Sequence, residues 1–253
     1  MFPANALTFD IDWAPDWCIA ACRDICIEKN VKATFFVTHP SAVISELIDD
    51  DHFEIGIHPN FLANSSHGSE PAEIIETCLE LSPDAKSMRT HALVQSTPIL
   101  TMVSENYQQI DTDVSLFLPH LTNLEPVDFY FGENGRRITR LPYYWEDDVA
   151  AEWPGWDWHG GPPPSTGLRI FDFHPTYVGL NMKKLAPYLK LKQRLAGRPL
   201  FQATQEDFED LINHGTGDRD FLKRVIDSLD PCSFKTVSDI CTMFRRLPQP
   251  AFQ

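Results

Sequence analysis

Residues 6–12 read ALTFDID, an apolar, β-prone run that ends in two acidic residues. Side chains two apart in a strand share a face, so Asp10 and Asp12 are expected to project together from its end. Two neighbouring carboxylates repel unless a proton or a cation lies between them. A divalent metal resolves the conflict, with one carboxylate as ligand and the other free as a base. The alternative is a solvated or helix-capping pair, since a helix candidate follows at Pro15.

Outward from this stretch, β-rich runs alternate with helical ones. The strand candidates after it are KATFFVT (32–38), FEIGIH (53–58), KSMRTH (86–91), YQQIDT (107–112), RRITRLP (136–142) and LRIFDFH (168–174). Helix candidates fall at 15–30, 41–48 and 70–81, and Pro71 opens the last as a helix N-terminus prefers. The alternation predicts repeated βα units around a parallel sheet or barrel. After the seventh strand the pattern turns helical, at 183–197, 204–214 and 218–229, and FKTVSDICTMF (234–244) reads as a closing strand and helix. With no repeat and no boundary, a single domain over 1–253 is expected, with a core of 5–181 and a helical completion of 182–253.

Polar or kinking residues recur at the predicted strand ends: Asp10, Asp12, His39, His58, Arg89, His91, Asp111, Pro142 and His174. In parallel α/β barrels that end of the strands carries the active site. His58 and, further along its loop, His67 offer imidazoles, and Asp with two His leaves an open position on zinc. Arg89 stays charged and could hold a catalytic carboxylate in place, while His91 is a spare ligand or a substrate contact. His174 has the right chemistry to protonate a leaving amine, with Asp172 two residues away to orient it. The Trp-, Gly- and Pro-rich stretch 153–167 reads as a long loop whose Trp153, Trp156 and Trp158 could stack on sugars. Trp145, just ahead of it, is placed with Trp156 among the substrate-facing residues. His120 and His159 receive no role.

The net charge of −15 argues against a nucleic-acid partner. The first residues lack a basic and then apolar leader pattern, and no apolar run is long enough to span a bilayer, so a cytoplasmic protein is expected. The six cysteines form no secreted-type framework; Cys18, Cys22 and Cys26 recur every four residues and read as small core residues of one helix face.

Taken in order, TFD-x-D, ATFFVT, E-I-G-x-H, the Arg-bearing strand end and the late F-x-HP resemble the NodB-type polysaccharide deacetylases, the family-4 carbohydrate esterases. The resemblance covers about residues 5–181 and looks closest to a bacterial branch of O-antigen and surface-polysaccharide biosynthesis. It implies an α/β fold, an irregular (β/α) barrel of about seven parallel strands. It implies metal-dependent deacetylation of an N-acetylated sugar, with Zn2+ as the metal; the lack of a leader pattern leads to the expectation of a nucleotide-linked or lipid-linked sugar in the cytoplasm. By position Asp10 matches the base, Asp12 and His58 metal ligands, Arg89 the arginine that braces the base, and His174 the general acid. Pro142 stands on a late strand leading to substrate-facing residues. This chain departs from the pattern twice: Ile11 separates the two aspartates, and Leu62 stands where a second metal histidine is usual. His67 is the first expected replacement and His91 the second; His39 is a candidate pocket residue. Two other readings stay open, hydrolysis of another C–N bond such as a cyclic imide, and a non-catalytic binding protein.

Overall fold

A computed structural model describes residues 2–119, 121–133 and 135–247; His120 lies outside them. The strands are β1 (Ala4–Asp10), β2 (Ala33–Val37), β3 (Phe53–Ile57), β4 (Ser87–Met88), β5 (Thr112–Phe117), β6 (Val127–Phe131), β7 (Arg136–Tyr143), β8 (Trp145–Glu146) and β9 (Leu168–Phe173). The helices are α1 (Asp16–Glu28), α2 (Ala42–Leu47), α3 (Pro71–Leu81), α4 (Thr97–Asn106), α5 (Asp147–Glu152), α6 (Pro175–Leu180), α7 (Ala186–Leu195), α8 (Gln205–Phe208), α9 (Asp218–Asp227) and α10 (Val237–Arg245).

The sheet runs β6-β7-β5-β4-β3-β2-β1-β9-β8, parallel throughout except for β6, which lies antiparallel on β7. Only Tyr144 separates β7 from β8, so one continuous stretch pairs with β5 through β7 and with β9 through β8. The ring therefore closes on itself. It is the irregular barrel expected from the sequence, with seven parallel staves once β7 and β8 are taken as one. β1, β2 and β9 are almost wholly buried, which is why they read as near-continuous apolar runs rather than alternating ones.

Two expectations about elements are corrected. The fifth strand is not 107–112 but β5: Tyr107 caps α4, and a Tyr107–Ile110 turn uses up the residues before it. The closing strand at 234 shrinks to one bridge, Asn5 to Phe234, before α10, whose start is capped by Thr236. β6, α4, α5 and α6 had no counterpart in the sequence reading. The six-residue α5 and α6 are too short to show a helical period.

α1 packs on α6, and there Gly179 is required: a Cβ would sit 2.6 Å from Cys18 Sγ. Cys18, Cys22 and Cys26 are buried, unpaired thiols on that face, as the four-residue spacing suggested. Among the described residues no helix is long and apolar enough to cross a membrane.

Candidate active site

β1 ends at Asp10, and the chain does not continue as a strand. Asp12 and Trp13 adopt left-handed backbone angles, with φ of 40° and 55°. For Asp this costs little, but for a Trp it is strained, and such strain persists only where surrounding structure enforces it. Trp13 N–H is fixed by donation to Thr38 Oγ1 at 2.9 Å. A second left-handed pair, Ala92 and Leu93, follows His91. These turns aim Asp12 and His91 at His58, on the loop that leaves β3.

The three side chains meet. His91 Nδ1 lies 3.0 Å from Asp12 Oδ1 and 3.3 Å from His58 Nε2, and His58 Nε2 lies 3.2 Å from the same Asp12 oxygen. Donors each 2.0–2.2 Å from a shared tetrahedral zinc would stand about 3.3 Å apart, so the spacing fits a three-ligand site with one open position. Burial works against charge on Asp12, yet hydrogen bonds from His58 and His91 and the charge of His174 hold its carboxyl well below the usual range. Burial likewise opposes charge on His91, but its bond to Asp12 prevails and raises it.

His67, the first expected third ligand, is elsewhere. Its Nε2–H donates to the Thr38 carbonyl at 2.7 Å, and its Nδ1 accepts from Asn60 N–H at 3.2 Å, with Cys78 Sγ 3.3 Å away. Both ring nitrogens are occupied, so no lone pair remains for a metal. It is His91, the second choice, that the structure brings to Asp12 and His58. His67 instead ties its loop to the end of β2, behind the Trp13 ring that separates it from His91.

Opposite this trio lies a buried ion network. Arg89, fully inaccessible, donates from Nη1 to Asp10 Oδ1 at 2.9 Å, to Thr8 Oγ1 at 2.9 Å and to Asp172 Oδ1, and from Nε to the Val114 carbonyl at 3.1 Å. Its guanidinium is sandwiched between the Phe36 and Tyr143 rings. The free Asp10 oxygen, Oδ2, faces His58 Nε2 at 3.5 Å. Asp172 does not orient His174; it bonds Arg89 and Thr8, and burial pushes its carboxyl well up despite the arginine.

The partner of His174 is Asp147, at the start of α5. Its carboxylate takes the His174 backbone N–H through one oxygen and ring Nδ1 through the other, each at 2.6 Å. Nε2 is left turned toward Asp12 Oδ2, 3.7 Å away. Burial disfavours the imidazolium, but Asp147, Asp12 and Asp172 outweigh it and lift His174 well above an ordinary histidine. Asp10, Asp12, Asp147 and Asp172 thus gather around Arg89 and the imidazoles of His58, His91 and His174, an acid-rich setting that suits a cation. Asp147 was missed in the sequence; its signal was the EDD that ends the late strand at 146–148.

The remaining expected substrate contacts fall differently. Trp145 is core, its ring 4.8 Å from Phe173 and 4.7 Å from Phe221. Trp156 packs on Trp145, Trp158 and Phe221. The aromatic loop therefore folds onto the barrel, because stacking on its own rings buries more apolar area than exposure would. His39 is buried past the end of β2, bonded to Thr38 Oγ1 and stacked on Phe201. Pro142 sits inside β7, opposite Leu116 of β5.

A family model described as WbmS-like polysaccharide deacetylase matches residues 7–192. No curated protein matches the chain. Among solved structures, a candidate polysaccharide deacetylase involved in O-antigen biosynthesis from Bordetella bronchiseptica is 32% identical. The alignment covers 88% of this chain and 90% of that one, with a TM-score of 0.75. A family 4 acetyl xylan esterase from Clostridium thermocellum, solved with a cobalt ion, aligns at 17% identity over 94% and 90% of the two chains, with a TM-score of 0.45.

Proposed function

The chain belongs to the WbmS-like polysaccharide deacetylases, and from that premise we propose that it hydrolyses the acetamide of an N-acetylated sugar in surface-polysaccharide biosynthesis, with a divalent metal, zinc, held by Asp12, His58 and His91. The observation that carries this reading is the meeting of those three donors within hydrogen-bonding distance of one another, with Asp10 3.5 Å from His58 and His174 3.7 Å from Asp12.

Asp12, His58 and His91 would hold a divalent cation there, which would supply Lewis acidity to the acetyl carbonyl and the attacking water. Asp10, its orientation set by Arg89, takes a proton from that water as the new C–O bond forms. His174, gripped by Asp147 through its ring and its backbone, presents Nε2 to the same space and delivers a proton to the sugar nitrogen as the C–N bond breaks. The products are acetic acid, which ionises to acetate, and an amino sugar, and the proton gained by Asp10 matches the one given up by His174. Substrate identity is proposed at the level of an N-acetylated saccharide carried on a nucleotide or a lipid. We also propose that 182–253 completes the same domain as 5–181, since Lys235 N–H donates to the Asn5 carbonyl and Asn5 Nδ2 to Ser233 Oγ.

The test is acetate release from a panel of nucleotide-linked, lipid-linked and free N-acetylated sugars. Release should depend on zinc and vanish in Asp10→Asn. A zinc-loaded, folded protein that frees no acetate from any of them would overturn the proposal.

A further inference from the structure

Residues 11–14 form a tight turn whose sequence and geometry disagree. Ala14 N–H donates to the Ile11 carbonyl at 2.6 Å, and both central residues, Asp12 and Trp13, have positive φ. That is the pattern of a type I′ turn, whose central positions go to Asn, Asp and Gly because a Cβ is crowded there. Asp12 suits the first position. Trp13 stands in the second, where glycine fits best and a bulky side chain is an outlier. A strained residue held in place by its surroundings points to a use for its side chain.

The contacts of the ring narrow that use. Trp145, Trp156 and Trp158 stack on one another and on Phe221, and Trp17 packs edge-on against Phe208 while its N–H donates to the Ala203 carbonyl. Among the described residues Trp13 is the tryptophan whose ring meets a member of the metal trio. Its centroid lies 5.3 Å from that of His91, with the two planes nearly perpendicular, and 5.5 Å from that of His67. The indole is half-buried; no described residue accepts its N–H, and that N–H is not enclosed as those of Trp145 and Trp156 are. The ring therefore borders open space beside the three donors.

Asp12 fixes the direction. It turns Oδ1 to His58 and His91 and Oδ2 to His174. His91, with Trp13 against it, and His174 thus stand at different oxygens of one carboxylate. In the reaction read above, His174 serves the sugar nitrogen. The acyl methyl lies on the far side of the carbonyl carbon from that nitrogen, toward His91 and Trp13.

Resting on that reading, we propose that Trp13 is the wall the acyl methyl meets, and that it sets the length of acyl group the site accepts. An acetyl fits against the indole, and a longer chain collides with it. Apolar ring carbons suit a methyl, and a rigid ring in a constrained turn gives way little. The strain at Trp13 is then the consequence of placing a large flat side chain where the turn favours none.

Hydroxamates test this without any sugar, because the head group binds zinc and the chain behind it takes the place of the acyl group. In calorimetric titrations the zinc-loaded wild type should bind acetohydroxamate about tenfold more tightly than octanohydroxamate. Trp13→Gly and Trp13→Asn, both at ease in the turn, should keep about one zinc per chain and lose that preference, the octanoyl chain gaining about tenfold. The preference retained in a folded, zinc-loaded variant overturns the proposal, as does a zinc-loaded wild type with no preference for the short chain. Zinc lost from the variants would make the ring a prop for His91 and overturn it as well. The two replacements fit the turn independently, so one folded variant decides. Zinc absent from the wild type itself overturns the reaction read above and this inference with it, whereas zinc bound with no effect of Trp13 on chain length overturns this inference alone.

Discussion

His58 Nε2 and His91 Nδ1 point at each other across 3.3 Å, and one oxygen of Asp12 lies within 3.2 Å of both. Two imidazole nitrogens and a carboxylate oxygen gathered this closely are a donor set that a divalent cation takes. Elemental analysis of protein purified without chelators and dialysed against zinc should find about one metal per chain. Asp12→Ala, His58→Ala and His91→Ala should each lose it. His67→Ala should keep it, because that ring is spent on Thr38 and Asn60; loss there would restore His67 as a ligand.

Arg89 anchors both Asp10 and Asp172 in the barrel interior. Arg89→Met leaves two buried carboxylates without their cation, at a cost of about 3–5 kcal/mol. Arg89→Lys should not rescue it, since one ammonium cannot reproduce the fork that reaches Thr8, Asp10, Asp172 and the Val114 carbonyl. Urea unfolding measures the loss, and a midpoint within error of wild type for either variant would contradict it.

His39 sets a pH dependence. Burial lowers its imidazole to about 4 from an ordinary 6.5. As pH falls from 6.5 toward 4, the unfolded chain binds a proton that the folded one refuses, so stability drops across that window and not above it. The full effect is bounded at about 3 kcal/mol. Unfolding free energies at pH 7 and pH 4.5 should differ less for His39→Asn than for the wild type, and an unchanged difference would assign the acid sensitivity elsewhere.

The tryptophans distinguish core from binding site. Trp145→Ala should cost about 3–5 kcal/mol in stability, as removal of a buried aromatic does. Trp156→Ala should lower the melting temperature, with KM for the sugar little changed. A large rise in KM at wild-type stability would return Trp156 to the substrate surface.

What the sequence by itself determined is what local pattern can carry. Buried parallel strands are written as apolar runs, and their ends as polar residues; from ALTFDID, FEIGIH and LRIFDFH the barrel, the family and the positions of Asp10, His58 and His174 could all be read. The cysteine spacing on α1 was legible for the same reason, a helical period over 13 residues. Only the tertiary structure decided which partners these residues take. Left-handed turns at Asp12 and after His91, invisible to any strand pattern, bring Asp12, His58 and His91 together and leave His67 behind. Asp147 reaches His174 because the start of α5 and the start of α6 meet at one end of the barrel. Hydrogen bonds are satisfied by whatever lies within 3 Å in space, and separation along the chain carries almost no information about that distance once a barrel has closed.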